Sequence, residues 1–240
     1  MNDYFVCRET YTLQDIENLI GQSEVRGIVL GDILCPRRMF DGAIAQQILL
    51  TDKVLKSDKI LIYQVPLYVT SRNMDSVKSV FDMIEGYNKV SYAIVQDFGT
   101  ARLINREYTR IKPVWGIMGR VRERRYSDEF LTFLKQNGFY GMETRDPALI
   151  KRLIEFGLVP FYGNCEIQYQ TLGRNCYVKY ELGICDTSVC RSGCYSLKAE
   201  DESIEMSIDG YILGKKIRRI PAGEFEKTCQ SFNVAKIIFT

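Results

Sequence analysis

The residues best suited to chemistry in this 240-residue chain are its eight cysteines, five of which, Cys165, Cys176, Cys185, Cys190 and Cys194, fall in one stretch. Thirteen residues separate Cys176 from Cys190 and three separate Cys190 from Cys194. Thiols gathered in this way hold a metal or form disulfides. Disulfide frameworks belong to small domains of oxidising compartments. This chain is 46% hydrophobic, enough for a substantial core, and its opening MNDYFVCRETYT lacks the basic start and apolar run of a signal peptide. No run reaches transmembrane length. The expectation is a soluble protein of a reducing cytoplasm, whose thiols ligate metal, do chemistry or stay free.

The chain contains no histidine. That excludes Ser-His-Asp and Cys-His catalytic arrangements, HExxH zinc sites and all mixed Cys/His metal sites. General acid or base work would fall to Asp, Glu, Lys, Tyr or Cys. Neither GxxxxGK[ST] nor GxGxxG occurs, so nucleotide-dependent chemistry has no support. The DTS at 186–188 reads as a polar turn between cysteines, because an aspartic dyad needs a second aspartate in contact. A net charge of +2 names no partner.

The elements that must position the thiols alternate. Apolar runs beginning at Tyr4, Arg26, Lys59, Ser91, Pro113, Phe139, Leu158 and Ala235 read as strands, most of them separated by helical periodicity. Thr12, Ser127 and Asp146 are placed to cap helices, the last with Pro147 at the first helical position. Eight strands in this length predict an α/β fold, a (β/α)8-type (TIM-like) barrel that ends on its eighth strand without a final helix. An open doubly wound sheet is the alternative. Residues 1–240 read as a single barrel domain that includes a cysteine-rich insertion over 163–233. Within the insertion, DG between alternating residues predicts a β-hairpin.

A parallel barrel gathers its functional loops at the C-terminal ends of its strands. Cys35 follows the second strand and the cysteine cluster follows the seventh, so Cys35 can join Cys176, Cys190 and Cys194 as a fourth thiolate. Such a set suits an iron–sulfur cluster or structural zinc, with unligated thiols as the third reading. Cys185 and Cys165 are further candidates near the site. Cys7 and Cys229, beside apolar residues, read as core. Arg37 and Arg38 could pair with an anionic substrate, or equally cap a helix or form surface ion pairs. Arg72 and Asn73 after the third strand and Asp97 after the fourth are placed for substrate contact. Glu143 and Arg145 end the sixth strand without an assigned step. Basic runs from Arg120 and Lys215 could touch RNA phosphates, although such runs are usually solvated faces.

The segments LGDILCPRRMF, YVTSRN, YAIVQDFG and GNCEIQYQTLGRNCYVKY, followed by CRSGC, resemble the collagenase-like peptidase family U32, over about residues 26–219. The pattern is most similar to the subgroup acting in oxygen-independent ubiquinone biosynthesis. The resemblance implies a 4Fe-4S cluster on Cys35, Cys176, Cys190 and Cys194. It also implies a part in hydroxylation without molecular oxygen, on a quinone precursor or an RNA base, with prephenate as the oxygen source in some members. It further implies a heterodimer with a related chain. Peptidase activity is not expected.

Overall fold

The computed structural model describes residues 4–8, 11–31, 44–66, 69, 71–116, 126–168, 171–172, 197–198, 207–209, 212–213 and 216–240. Eight strands close into a parallel barrel in the order β1, β14, β7, β6, β5, β4, β3, β2. They are β1 (Tyr4–Cys7), β2 (Val25–Gly31), β3 (Ile60–Gln64), β4 (Ser91–Val95), β5 (Ile111–Trp115), β6 (Gly141–Thr144), β7 (Val159–Gly163) and β14 (Ala235–Phe239). These are the eight strands that the apolar runs predict, so the closed barrel replaces the open sheet. Closure is made by β1, which pairs with β2 on one side and with β14 on the other, Phe5 opposite Ile237.

Among the described residues, six helices lie between the strands from β1 to β7. They are α1 (Leu13–Ile20), α2 (Ile44–Lys56), α3 (Ser71–Gly86), α4 (Phe98–Glu107), α5 (Asp128–Gln136) and α6 (Pro147–Glu155). Their starts follow local chemistry. Thr12 and Asp15 form a reciprocal capping box on α1, with Asp15 N donating to Thr12 Oγ1 at 3.1 Å and Thr12 N donating to Asp15 Oδ2 at 2.8 Å. Ser127 and Asp146 accept from Phe130 N and Ala148 N at the starts of α5 and α6. Each cap of this kind contributes about 1 kcal/mol.

Two bounds differ from the sequence reading. The third apolar run, from Lys59, contains Pro66 near its end, and β3 stops at Gln64, two residues before that proline, which cannot donate to the ladder. The expected insertion runs to Asn233, whereas a seventh helix, α7 (Ala222–Ser231), leads into β14. Its Phe225 stacks on Tyr162 of β7 at 5.1 Å, and Cys229 is buried beside them. The chain thus returns to the barrel before the last strand.

Between β7 and α7 lie β8 (Cys165–Gln168), β9 (Thr171–Leu172), β10 (Leu197–Lys198), β11 (Ser207–Asp209), β12 (Ile212–Leu213) and β13 (Lys216–Arg219). β8 and β13 form an antiparallel ribbon, Cys165 opposite Arg219 and Gln168 opposite Lys216. The order β10, β11, β12, β9 makes a second small sheet. It includes the predicted hairpin, with Asp209 opposite Ile212.

The barrel interior is filled by Phe5, Val29, Ile62, Ile94, Val114, Phe161 and Ile237, all buried. Side chains of this size contribute about 1.5–3 kcal/mol each on burial. A larger core packs the outer strand faces against the helices, through residues such as Tyr63, Phe81, Val95 and Leu131.

Candidate functional site at the barrel mouth

Successive side chains of a strand point to opposite faces, so the interior position after each core residue lies two residues further on. Beyond Val29, Ile62, Ile94, Val114, Gly141 and Phe161 these positions are Gly31, Gln64, Gln96, Gly116, Glu143 and Gly163. An apolar plug therefore gives way, at the C-terminal end, to a ring of glycines and polar residues. The glycines make room. A Cβ on residue 116 would stand 1.9 Å from the Gln96 amide nitrogen, and one on residue 163 would stand 2.2 Å from the guanidinium carbon of Arg145. Gly31 adopts φ +106°, a conformation that favours glycine.

Glu143 of this ring forms an ion pair with Arg145. Arg145 Nη2 donates to Glu143 Oε1 at 2.7 Å, with both side chains at or below 10% exposure. Arg145 Nη1 donates to the Thr144 carbonyl at 3.0 Å, and its Nε donates to the carbonyl of Cys165. A charge taken this far from water must be paired and hydrogen-bonded, and here both conditions are met. The pair joins the end of β6 to the chain just past β7.

Two groups that follow other barrel strands, Tyr11 after β1 and Asn164 after β7, are also held by hydrogen bonds. Tyr11 donates to the Val6 carbonyl at 3.0 Å. Burial, and then the neighbouring Cys7 thiol, push its hydroxyl well above the usual phenol range, so it stays protonated and cannot serve as a general base. Asn164, at the bend between β7 and β8, accepts from Phe239 N at 2.8 Å through its side chain, and its own N–H donates to Ile237 at 3.0 Å.

The residues singled out in the sequence fall in three groups. Cys35, Arg37, Arg38, Cys176, Cys185, Cys190 and Cys194 lie outside the described residues, as do the basic residues 120–125. Arg72 and Asn73 fall in the first turn of α3, and Asn73 is buried. Asp97 caps α4. Its two oxygens accept from Thr100 N and Thr100 Oγ1, both at 2.8 Å. Cys7, Cys165 and Cys229 are all buried, and for Cys7 and Cys229 that is the expected core setting.

Among the described residues no group of three or more Cys, Asp or Glu could hold a metal ion. β2 ends at Gly31, four residues before Cys35, and β7 ends at Gly163, ahead of the other three cysteines. Both strands run the same way in one closed barrel, separated by β1 and β14. Four thiolates with no histidine available suit an iron–sulfur cluster or zinc.

The Glu143–Arg145 pair and its glycine bed went unassigned in the sequence. The alternation of strand positions carries the signal, since glycine or a polar residue follows an apolar one two places earlier on five strands.

No protein-family model matches the chain. No curated protein matches it either. A solved structure from Galdieria sulphuraria, described as a candidate glycerophosphodiester phosphodiesterase, aligns over 67% of this chain and 84% of its own at 8% identity, with a TM-score of 0.45. The barrel assignment rests on the strand pairing itself. No helix among the described residues is long and apolar enough to cross a membrane.

Proposed function

We propose that this chain is a cytoplasmic 4Fe-4S protein of the U32 kind. In this reading Cys35, Cys176, Cys190 and Cys194 hold the cluster, and the chain works with a related partner chain in oxygen-independent hydroxylation of a small, quinone-precursor-like molecule. The single observation supporting this reading is the shared direction of β2 and β7 in a closed barrel, because Cys35 follows the first of these strands in the sequence and the other three cysteines follow the second. The cluster, when bound, would supply redox or Lewis-acid chemistry at that face.

The chain's own residues would bind and orient the substrate. The mouth offers a floor of Gln96, Glu143 and Arg145 over an apolar plug, a setting that excludes water below the substrate and presents hydrogen-bond partners to its polar groups. Arg37, Arg38, Arg72, Asn73 and Asp97 are the further candidate contacts, each lying after the C-terminal end of a strand. An RNA base is the alternative substrate, through the basic residues of 120–125 and 215–219.

The test is the iron, sulfide and zinc content, with the visible spectrum, of anaerobically purified protein. Wild type is compared with single Cys→Ala variants at 35, 176, 185, 190 and 194. The reading expects about four irons per chain, lost in every variant but the one at 185. Zinc, or no metal, overturns it. Nucleoside analysis of RNA from cells lacking the gene then separates the two substrates.

A further inference from the structure

The two strands β8 and β13 form a stem, because the chain from 169 to 215, which carries Cys176, Cys190 and Cys194, is entered through one of them and left through the other. We propose that Arg145 is the positioning residue that fixes the root of this stem to the barrel, with Glu143 and Gly163 aiming its guanidinium. What the stem carries rests on the cluster reading above; how it is rooted does not.

The root is densely bonded. On the β8 side, Arg145 Nε donates to the Cys165 carbonyl while its two terminal nitrogens are engaged by Thr144 and Glu143. On the β13 side, Arg219 Nη1 donates to the Phe239 carbonyl at 2.9 Å, and Ile220 N donates to the Asn164 carbonyl at 2.8 Å. Asn164 in turn bridges to β14 through its side chain.

Arg145 differs from the other ties in its rigidity. A planar fork with donors in fixed directions, lying against a residue without a side chain and held by a buried carboxylate, has one orientation available. A lysine ammonium has three donors but no planar fork, so it does not hold all three acceptors in fixed directions. Glu143 orients the fork, and Gly163 sets its height above β7. A ribbon of two short strands is marginal by itself, so its direction depends on how its first pair, Cys165 and Arg219, is anchored.

The test is amide hydrogen exchange on metal-free full-length protein, followed by anaerobic reconstitution with iron and sulfide. The variants are Arg145→Ala, Arg145→Lys and Gly163→Ala, the last displacing the guanidinium without altering either charge. In Arg145→Ala and Gly163→Ala, exchange in Cys165–Gln168 and Lys216–Arg219 is expected to rise about tenfold more than exchange of the amides of β3, β4 and β5, which register only the global loss of stability. Arg145→Lys should recover part of the protection. Reconstituted variants should also lose iron to a chelator faster than wild type, with a shifted visible spectrum.

Unchanged exchange in the stem of both Arg145→Ala and Gly163→Ala overturns the proposal, whatever the metal content. A uniform rise across the barrel overturns it too, since that is loss of stability rather than loss of aim. Wild-type protein that takes up no iron, with exchange confined to the stem in the variants, overturns the cluster reading and leaves the root of the stem as proposed.

Discussion

The guanidinium of Arg145 occupies the space in which residue 163 would carry a side chain, 2.2 Å from the position of its Cβ. One residue's missing atoms are thus the seat of another's charge, and the two positions are coupled. Gly163→Ala should destabilise the protein by about 1–3 kcal/mol, as overpacking does. The penalty should shrink in an Arg145→Ala background. Urea unfolding of the two single variants and the double gives the coupling directly.

Removing one member of the buried pair should cost more than removing both. Glu143→Ala leaves the Arg145 charge buried without its carboxylate, for an expected loss of about 3–5 kcal/mol. The double Glu143→Gln, Arg145→Gln variant leaves no lone charge and should lose less. Midpoints of denaturation that rank the other way would show that Arg145 reaches water once Glu143 is gone.

Glycines of the barrel should divide by what they touch. A Cβ at Gly141 would stand 2.2 Å from the Val159 carbonyl oxygen, which belongs to the ladder and cannot move cheaply, whereas at Gly116 the obstacle is the end of the Gln96 side chain. Gly141→Ala should therefore lower the unfolding midpoint far more than Gly116→Ala. Thermal denaturation of both variants checks the order.

Asp97 has a capping duty whatever else it does. Asp97→Ala should cost about 1 kcal/mol, and Asp97→Ser, which keeps a capping oxygen, much less. A substrate role would then show as activity lost in Asp97→Ser at nearly full stability.

Burial raises the Cys229 thiol to about 11. The unfolded chain releases this proton near its ordinary value of 9.0, before the folded chain does. The stabilisation is complete below about pH 9 and is lost as pH rises toward 11. Thermal midpoints across that range should fall more steeply for wild type than for Cys229→Ser.

The barrel was legible because its signals are local. Each strand shows as a short apolar run, and Thr12, Ser127 and Asp146 mark helix starts by their side-chain oxygens. The helix α7 was not legible for the same reason. Its N-cap is Pro221, which supplies no capping side chain, and Gly223 sits in its first turn. Packing of Phe225 on Tyr162 holds it in place, and such a contact between distant residues leaves no local mark. Glu143 and Arg145 were visible at the end of their strand, but their pairing across Gly163 depends on the β6 and β7 register. The placement of Asp97 after β4 was clear from the sequence, while its hold on Thr100 emerged only from the backbone turn.

Closure of the barrel by β14 against β1 also dictates an order of assembly. During synthesis from the N-terminus, β14 is made after every cysteine of the chain, so the ring cannot shut until all the thiols have left the ribosome. Pairing across so long a stretch of sequence is slow. For that interval β1 and β7 each present an unpaired edge, which is when the chain is most open to aggregation.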